Sequence, residues 1–192
     1  MASVKVGING FGRIARVVLR SLESRETSLQ VCAINVRNAN LDRMVYMLKY
    51  DTVFGRFQGE IKAVEDGIEI NGKYIKDKPE NINWASVGVE YVIESTGKFR
   101  TAEGCAKHFV GGAKKVILSA PGKGDGIPTF VMGVNNETYT SDMTIVSNAS
   151  CTTNCLAPLA KVINDKFGIE QGLMSTIHAA TSKQKAVDCN GG

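Results

Sequence analysis

The run Val4-Lys5-Val6-Gly7-Ile8-Asn9 passes directly into Gly10-Phe11-Gly12-Arg13-Ile14-Ala15, and this junction limits the possible folds more than any other stretch. An apolar, strand-like segment followed by G-x-G-x-x-A and a helical pattern reads as the opening of a βαβ unit. Gly10 permits the tight turn, Gly12 lets a pyrophosphate approach the backbone, and small Ala15 lets helix pack closely on strand. Amide groups and the helix dipole at that end then suit phosphate oxygens. The same turn can also be a tight connection and nothing more.

The pattern repeats downstream. Strand-like Val4 to Ile8 and Gln30 to Asn35 alternate with helical Arg13 to Leu22 and Leu41 to Tyr50, which predicts an α/β fold. Between Ile61 and Ile75 the period becomes two, and Asp66-Gly67 and Asn71-Gly72 are strong hairpin signals. Parallel-type strands are expected again at Tyr91 to Glu94, Lys115 to Ser119 and Phe130 to Val134, with a helix from about Thr101 to Phe109. A long helix is expected from Ser150 or Cys151 to Phe167, ended by Gly168 and kinked at Pro158, and then a strand from Leu173 to Ile177. The expected architecture is a Rossmann-like, doubly wound, mainly parallel sheet with an antiparallel excursion, followed by the incomplete start of an α+β catalytic domain. Residues 1–149 form the dinucleotide-binding domain in this reading, and 150–192 begin a second domain. Some forty residues are few for an independent core, so the chain reads as part of a longer protein whose isolated form is poorly soluble or self-associating.

Composition removes several classes. No apolar run approaches the roughly 18 residues of a membrane span, so no membrane partner is expected. Lys and Arg number 23 against 19 Asp and Glu, a net +4, and the densest basic pair is Lys114-Lys115, which gives no footprint for nucleic acid. Twenty glycines with only four prolines point to particular backbone turns, not to low complexity. Five cysteines without a CxxC pair suggest reduced thiols and a cytoplasmic location.

Two stretches carry the chemistry. In a turn of the first kind an acid normally reads the ribose at the end of the second strand. Here that place reads Asn35-Val36-Arg37-Asn38, with no carboxylate and an adjacent arginine. Either NADP is accepted through Arg37, or Asn35 or Asn38 serves the ribose of NAD. The second stretch is Ser147-Asn148-Ala149-Ser150-Cys151-Thr152-Thr153-Asn154-Cys155. Cys151 falls at a helix N-terminus, where the dipole lowers a thiol pKa and prepares a nucleophile. Cys155 reads as a packed thiol, and no metal is expected because no second ligand pair accompanies it. Of two histidines, His108 sits on a surface-type helix and His178 ends the strand-like LMSTIH. His178 is the candidate base: a histidine at a strand end is more often structural, but a reactive-cysteine candidate elsewhere in the chain shifts the balance toward a Cys and His pair.

VGINGFGRI, ESTG at Glu94 to Gly97, SAP at Ser119 to Pro121, SNASCTTNCLAPLAK and TIHAAT together resemble the phosphorylating glyceraldehyde-3-phosphate dehydrogenases over the whole chain. The resemblance implies a cytoplasmic homotetramer that converts glyceraldehyde 3-phosphate and inorganic phosphate to 1,3-bisphosphoglycerate with hydride transfer to NAD or NADP. It makes Cys151 the nucleophile, His178 its base, and Ser150, Thr152 and Thr181 phosphate-binding. It assigns Asn9, Gly10, Phe11, Gly12, Arg13, Ile14, Asn35, Arg37, Ser95, Thr96, Gly97 and Ser119 to the cofactor. Departures are Ala15 for the usual glycine, Val36 for the usual ribose-binding aspartate, and Lys183 where threonine is frequent. The family's substrate-binding arginine and final helix have no counterpart within these residues. Two competing readings are an erythrose-4-phosphate dehydrogenase, which favours hydrolysis of the thioester, and a dinucleotide-binding fragment without turnover.

Overall fold

β1 (Val4–Asn9) buries Val6 and Ile8 on one face, while Gly7, on the other, leaves room for a bulky neighbour. The computed structural model describes residues 3–25, 27–37, 40–77 and 83–181. After the glycine turn, α1 (Arg13–Glu23) lays Ala15 and Leu19 on the sheet, and β2 (Leu29–Asn35) returns parallel to β1. α2 (Leu41–Lys49) starts where the Asn40 side chain accepts from the Arg43 amide at 2.9 Å. A short antiparallel ribbon follows, β3 (Tyr50–Asp51) with β4 (Gly55–Arg56). β5 (Ile61–Val64), β6 (Gly67–Ile70) and β7 (Lys73–Asp77) then form the antiparallel excursion. The Asn71-Gly72 turn has both residues at positive φ, 50° and 78°, which is what a two-residue hairpin with right-handed twist requires. Asp66-Gly67 marks the other turn one residue late, because Val64 pairs with Gly67 itself.

β8 (Tyr91–Glu94), α3 (Ala102–Val110), β9 (Lys115–Leu118), β10 (Ile145–Ser147) and α4 (Cys151–Phe167) complete the order. The eight-stranded sheet runs β10-β9-β8-β1-β2-β7-β6-β5, parallel from β10 through β7. Counted along the parallel set, this is the doubly wound order 3-2-1-4-5-6, whose direction of winding reverses between β1 and β8. One face carries a core of Ile8, Leu19, Ile34, Leu48, Ile68 and Ile70. On the other, Trp84, in a short 3-10 turn at Trp84–Val87, packs with Val89, Val92 and Ala33. The expected α/β fold with its antiparallel excursion is what the sheet displays.

Two expected strands do not form. Phe130 to Val134 is a turn: the Val131 amide donates to Asn135 Oδ1 at 2.8 Å and the Gly133 amide to Asn136 Oδ1 at 2.7 Å, with Gly133 at φ +78°. Side-chain acceptors here take the amides a ladder would need, and the sixth parallel strand is β10 instead. Leu173 to Ile177 is extended chain without a ladder; among the described residues no strand lies beside it, so its backbone groups have no pairing partner. α4 matches its expected limits, capped by Ser150 Oγ accepting from the Thr153 amide at 3.0 Å, and runs through Pro158 to Gly168. It buries none of its residues, and Leu159, Val162 and Phe167 stand exposed.

Gly7 offers the test of the second core face. A Cβ there meets the Trp84 ring at 2.5 Å, so Gly7→Ala is expected to lower unfolding free energy by about 1–3 kcal/mol, measured by denaturant melts followed through the indole fluorescence.

Candidate active site

The register of three neighbouring parallel strands puts Asn35, Asn9 and Glu94 in one row at their carboxyl ends, beside the switch point where doubly wound sheets bind ligands. The row is hydrogen-bonded throughout. Asn35 Nδ2 donates to Asn9 Oδ1 at 2.6 Å, and Asn9 Nδ2 donates to Glu94 Oε2 at 2.5 Å. Glu94 Oε1 accepts from the Thr96 amide at 2.7 Å and from Thr96 Oγ1 at 2.5 Å. His108 Nε2 closes on Glu94 Oε2 at 3.0 Å, and Trp84 Nε1 donates to His108 Nδ1 at 3.2 Å. An indole N–H can only donate, so Nδ1 accepts and Nε2 carries the proton. Burial alone would raise the Glu94 carboxyl, but hydrogen bonds from His108, Thr96 and Asn9 outweigh it and hold the carboxyl below its ordinary value. The expected surface position of His108 is therefore corrected. At 3% exposure it is a core residue, drawn in by Glu94 and Trp84.

The glycine turn lies against this row. Gly10 has φ +103°, and a Cβ on it would stand 3.0 Å from the Ser95 carbonyl carbon and 3.1 Å from the Thr96 amide nitrogen. Gly12, the N-cap of α1, has nothing within 4 Å of the same position. Phe11 is buried in the core, and its carbonyl accepts from Arg16 Nη1 at 2.9 Å. Arg13 opens α1 with its guanidinium paired to Asp51 and over the Phe54 ring, beside half-exposed Ile14. Amides of Phe54 and Val53, then the Arg13 guanidinium, hold the Asp51 carboxyl down from 3.8 to about 2. Ser95 Oγ donates to Ser119 Oγ at 2.9 Å, and Gly97 turns the chain at φ +72°.

One open cleft is lined by Asn9, Gly10, Phe11, Gly12, Arg13, Ile14, Asn35, Arg37, Ser95, Thr96 and Thr181 among the expected residues, and also by Val36, Arg16 and His108. Gly97 and Ser119 are not among the lining residues, and Asn38 and Lys183 lie outside the described residues. Two buried polar atoms of lining residues, Arg16 Nε and Asn35 Oδ1, have no partner among the described residues. Together with the glycine cradle they fit a dinucleotide, which brings both donors and acceptors. Sequence reasoning missed Glu94, His108, Trp84 and Asp51 as parts of this site. A polar residue ending each of three strands was the available signal.

The second constellation forms at the head of α4. Ala149, buried and at φ +61°, turns β10 into the helix; this conformation is costly for a residue with a Cβ. Cys151 Sγ then meets His178 Nε2 at 3.3 Å, and His178 Nδ1 donates to the Ala179 carbonyl at 2.7 Å. The bond to His178, then one from Thr152, lowers the Cys151 thiol, and the same contact, then the Ala179 carbonyl, raises His178. These shifts favour a thiolate–imidazolium pair. Burial pushes Cys105 up to about 11. Cys155 is exposed, contrary to the expected packed thiol, because among the described residues nothing covers that face of α4. Cys151, His178, Ser150 and Thr152 lie outside the cleft lining; Ala180 and Thr181 connect the two places. Among the described residues, no group of three or more metal-ligating side chains occurs and no helix is long and apolar enough to cross a membrane.

Fold and cleft define a dinucleotide-binding α/β protein carrying a cysteine–histidine pair. Residues 4–102 match the family model described as glyceraldehyde 3-phosphate dehydrogenase, NAD binding domain, and residues 150–191 match the C-terminal domain of the same family. The chain belongs to the glyceraldehyde 3-phosphate dehydrogenase family. It is similar to glyceraldehyde-3-phosphate dehydrogenase 1 of Mucor circinelloides f. lusitanicus, 57% identical over 189 residues, 96% of this chain and 55% of the relative. It is 53% identical to glyceraldehyde-3-phosphate dehydrogenase of Coccidioides posadasii (strain C735) over the same shares. The cytosolic glyceraldehyde-3-phosphate dehydrogenase of Gracilaria gracilis is 52% identical over 192 residues, 98% of this chain and 56% of the relative. The chain thus spans about 55% of the length of these relatives.

Two outcomes follow from the shifted groups. In His178→Gln the thiol loses its main stabilising partner, so iodoacetamide labelling of Cys151, followed by peptide mass mapping against pH, is expected to slow several-fold at neutral pH and to regain speed only at higher pH. The Asp51 carboxyl is lower in the fold than its ordinary 3.8, at about 2. Its stabilisation is therefore complete above pH 3.8 and lost as the pH falls toward 2. Asp51→Asn is expected to lower the melting temperature at pH 6 and to leave it nearly unchanged at pH 2.

Proposed function

We propose that this chain supplies the cofactor site and the reacting cysteine of a phosphorylating, NAD(P)-dependent glyceraldehyde-3-phosphate dehydrogenase. The observation that carries the reading is the contact of Cys151 Sγ with His178 Nε2 at 3.3 Å, at the N-terminus of α4. Residues 1–149 act as the dinucleotide-binding unit and 150–192 as the start of the catalytic unit. Gly10, Phe11, Gly12, Arg13 and Ile14 hold the pyrophosphate side. Asn9, Asn35, Arg37, Ser95, Thr96, Gly97 and Ser119 position the rest of the dinucleotide, which when bound supplies the hydride acceptor.

The chain's own chemistry follows from the pair. Cys151 Sγ, as thiolate, adds to the aldehyde carbon and forms a hemithioacetal. The alkoxide takes the proton of the His178 imidazolium. As the C–H bond then breaks, its hydride going to the acceptor that a bound dinucleotide would supply, His178 Nε2 takes that proton back and the carbonyl is remade as a thioester on Cys151. An oxygen of inorganic phosphate attacks that carbonyl, the C–S bond breaks, and the acyl phosphate departs as the thiolate returns. Ser150, Thr152 and Thr181 offer hydroxyl and amide donors to phosphate groups. A cytoplasmic homotetramer is the expected working form.

In protein containing these residues, Cys151→Ser is expected to reduce phosphate-dependent NAD(P) reduction with glyceraldehyde 3-phosphate by more than about a thousandfold, read as absorbance at 340 nm. His178→Asn is expected to lower kcat by about a hundredfold or more. Turnover that proceeds equally without phosphate would assign the chain to the hydrolytic reaction with erythrose 4-phosphate instead.

A further inference from the structure

The helix that carries Cys151 is joined to the sheet through a single left-handed residue. On one side of it Asn148 is still bonded to the sheet, its amide donating to the Leu118 carbonyl of β9 at 2.9 Å. On the other side Ser150 is the cap of α4. Ala149 lies between them at φ +61°, and α4 buries none of its residues, so the angle of the helix rests on this junction. Two side chains splint it from opposite ends. From the sheet, the buried Ser147 hydroxyl accepts from the Ala149 amide at 3.1 Å and donates to the Ala120 carbonyl at 2.8 Å. From the helix, Asn154 Nδ2 donates to the Asn148 carbonyl at 2.8 Å and to the Ser150 carbonyl at 2.9 Å. Both partners are carbonyl oxygens, which only accept, so the NH2 end of Asn154 must face them and both of its hydrogens are used.

We infer that Asn154 is a positioning residue: it clamps the Asn148 and Ser150 carbonyls across Ala149 and thereby holds Cys151 Sγ within reach of His178 Nε2. This rests on the cysteine–histidine reading given above and names the residue that sets the distance within the pair. Cys151 follows Ser150 directly and is carried by the helix. His178 is carried by extended chain 27 residues later, whose next residues, Ala180 and Thr181, line the cleft. A pivot at Ala149 therefore moves one partner against the other. The left-handed conformation is costly for a residue with a Cβ, so the junction needs bonds that hold it there. The helix's own bond from the Asn154 amide to the Ser150 carbonyl, at 2.9 Å, does not supply them, because it stays within the helix. Only the side chain ties that carbonyl to Asn148, on the sheet side of the turn. Asn154 thus works through the backbone and not on the reacting atoms.

The test is iodoacetamide labelling of the full chain from neutral to alkaline pH, with the label localised by fragment masses. Cys155, exposed on the same helix, is the internal reference. Asn154→Ala is expected to slow labelling of Cys151 at neutral pH by about 3- to 10-fold, to carry its pH profile toward that of His178→Gln, and to leave Cys155 unchanged. Alanine is the better helix former, so fraying of α4 does not account for such a slowing, and far-UV circular dichroism checks the helix directly. In the His178→Gln background the same Asn154→Ala change is expected to leave the profile unmoved, because the contact it serves is already gone. Should alanine cost helix after all, Asn154→Asp is read in its place. It keeps the shape, suits the first turns of a helix and sets a carboxylate oxygen against the two carbonyls, so it too is expected to slow Cys151. Wild-type labelling in the variant that keeps its helix, a slowing shared by Cys155, or an Asn154→Ala slowing of equal size in both backgrounds would overturn the inference. Wild-type labelling in His178→Gln would remove the cysteine–histidine reading and this inference with it.

Discussion

A carboxylate enclosed at the end of a parallel strand must be satisfied completely, and the arrangement of this cleft depends on how Glu94 meets that demand. Taking the charge out of water costs several kcal/mol, recovered only through well-placed partners. Glu94 has four of them, drawn from β1, α3 and the turn after β8. Each of these donors also does something else. Thr96, fixed from two atoms, holds the backbone against which Gly10 closes, and Asn9 passes the row on to β2. His108 joins α3 to the opposite core face through Trp84. The phosphate-side glycines and the second core are thus tied to one buried charge.

The two chemical centres are built by opposite means. The dinucleotide cleft rests on a sheet covered on both faces, and its side chains are held by buried hydrogen bonds. The cysteine–histidine pair stands on α4 and on the extended chain after it, neither of which buries a residue. Its geometry comes instead from local features: the left-handed Ala149 turn, the Ser150 cap, and the Ala179 carbonyl that orients the imidazole. Thiolate character there comes from partners in direct contact, not from a low-dielectric surrounding.

What could be read from the sequence was whatever local chemistry determines. The glycine turn, α1, the Asn71-Gly72 hairpin and the limits of α4 depend on neighbours a few residues away, and each appears where the residues predict it. The strand expected at Phe130 to Val134 was lost to Asn135 and Asn136, whose side-chain oxygens take the amides first. Leu173 to Ile177 has a strand's composition but no strand beside it among the described residues, and composition carries no information about the partner. His108 looked exposed because its flanking lysine and helical position suggest a surface. Its burial is decided by Trp84, 24 residues earlier, and by Glu94, 14 residues earlier. The direction of the strand-end row was hidden for the same reason, since it requires the register of three strands at once.

Trp84 is the only tryptophan in the sequence, and it is buried with its indole N–H on His108. Every photon of indole emission from this chain therefore originates at the last member of the hydrogen-bonded row. A disturbance of proton placement at His108, of charge at Glu94 or of the packing at Gly7 reaches the same chromophore, so the molecule carries its own optical gauge of the network beneath its cleft.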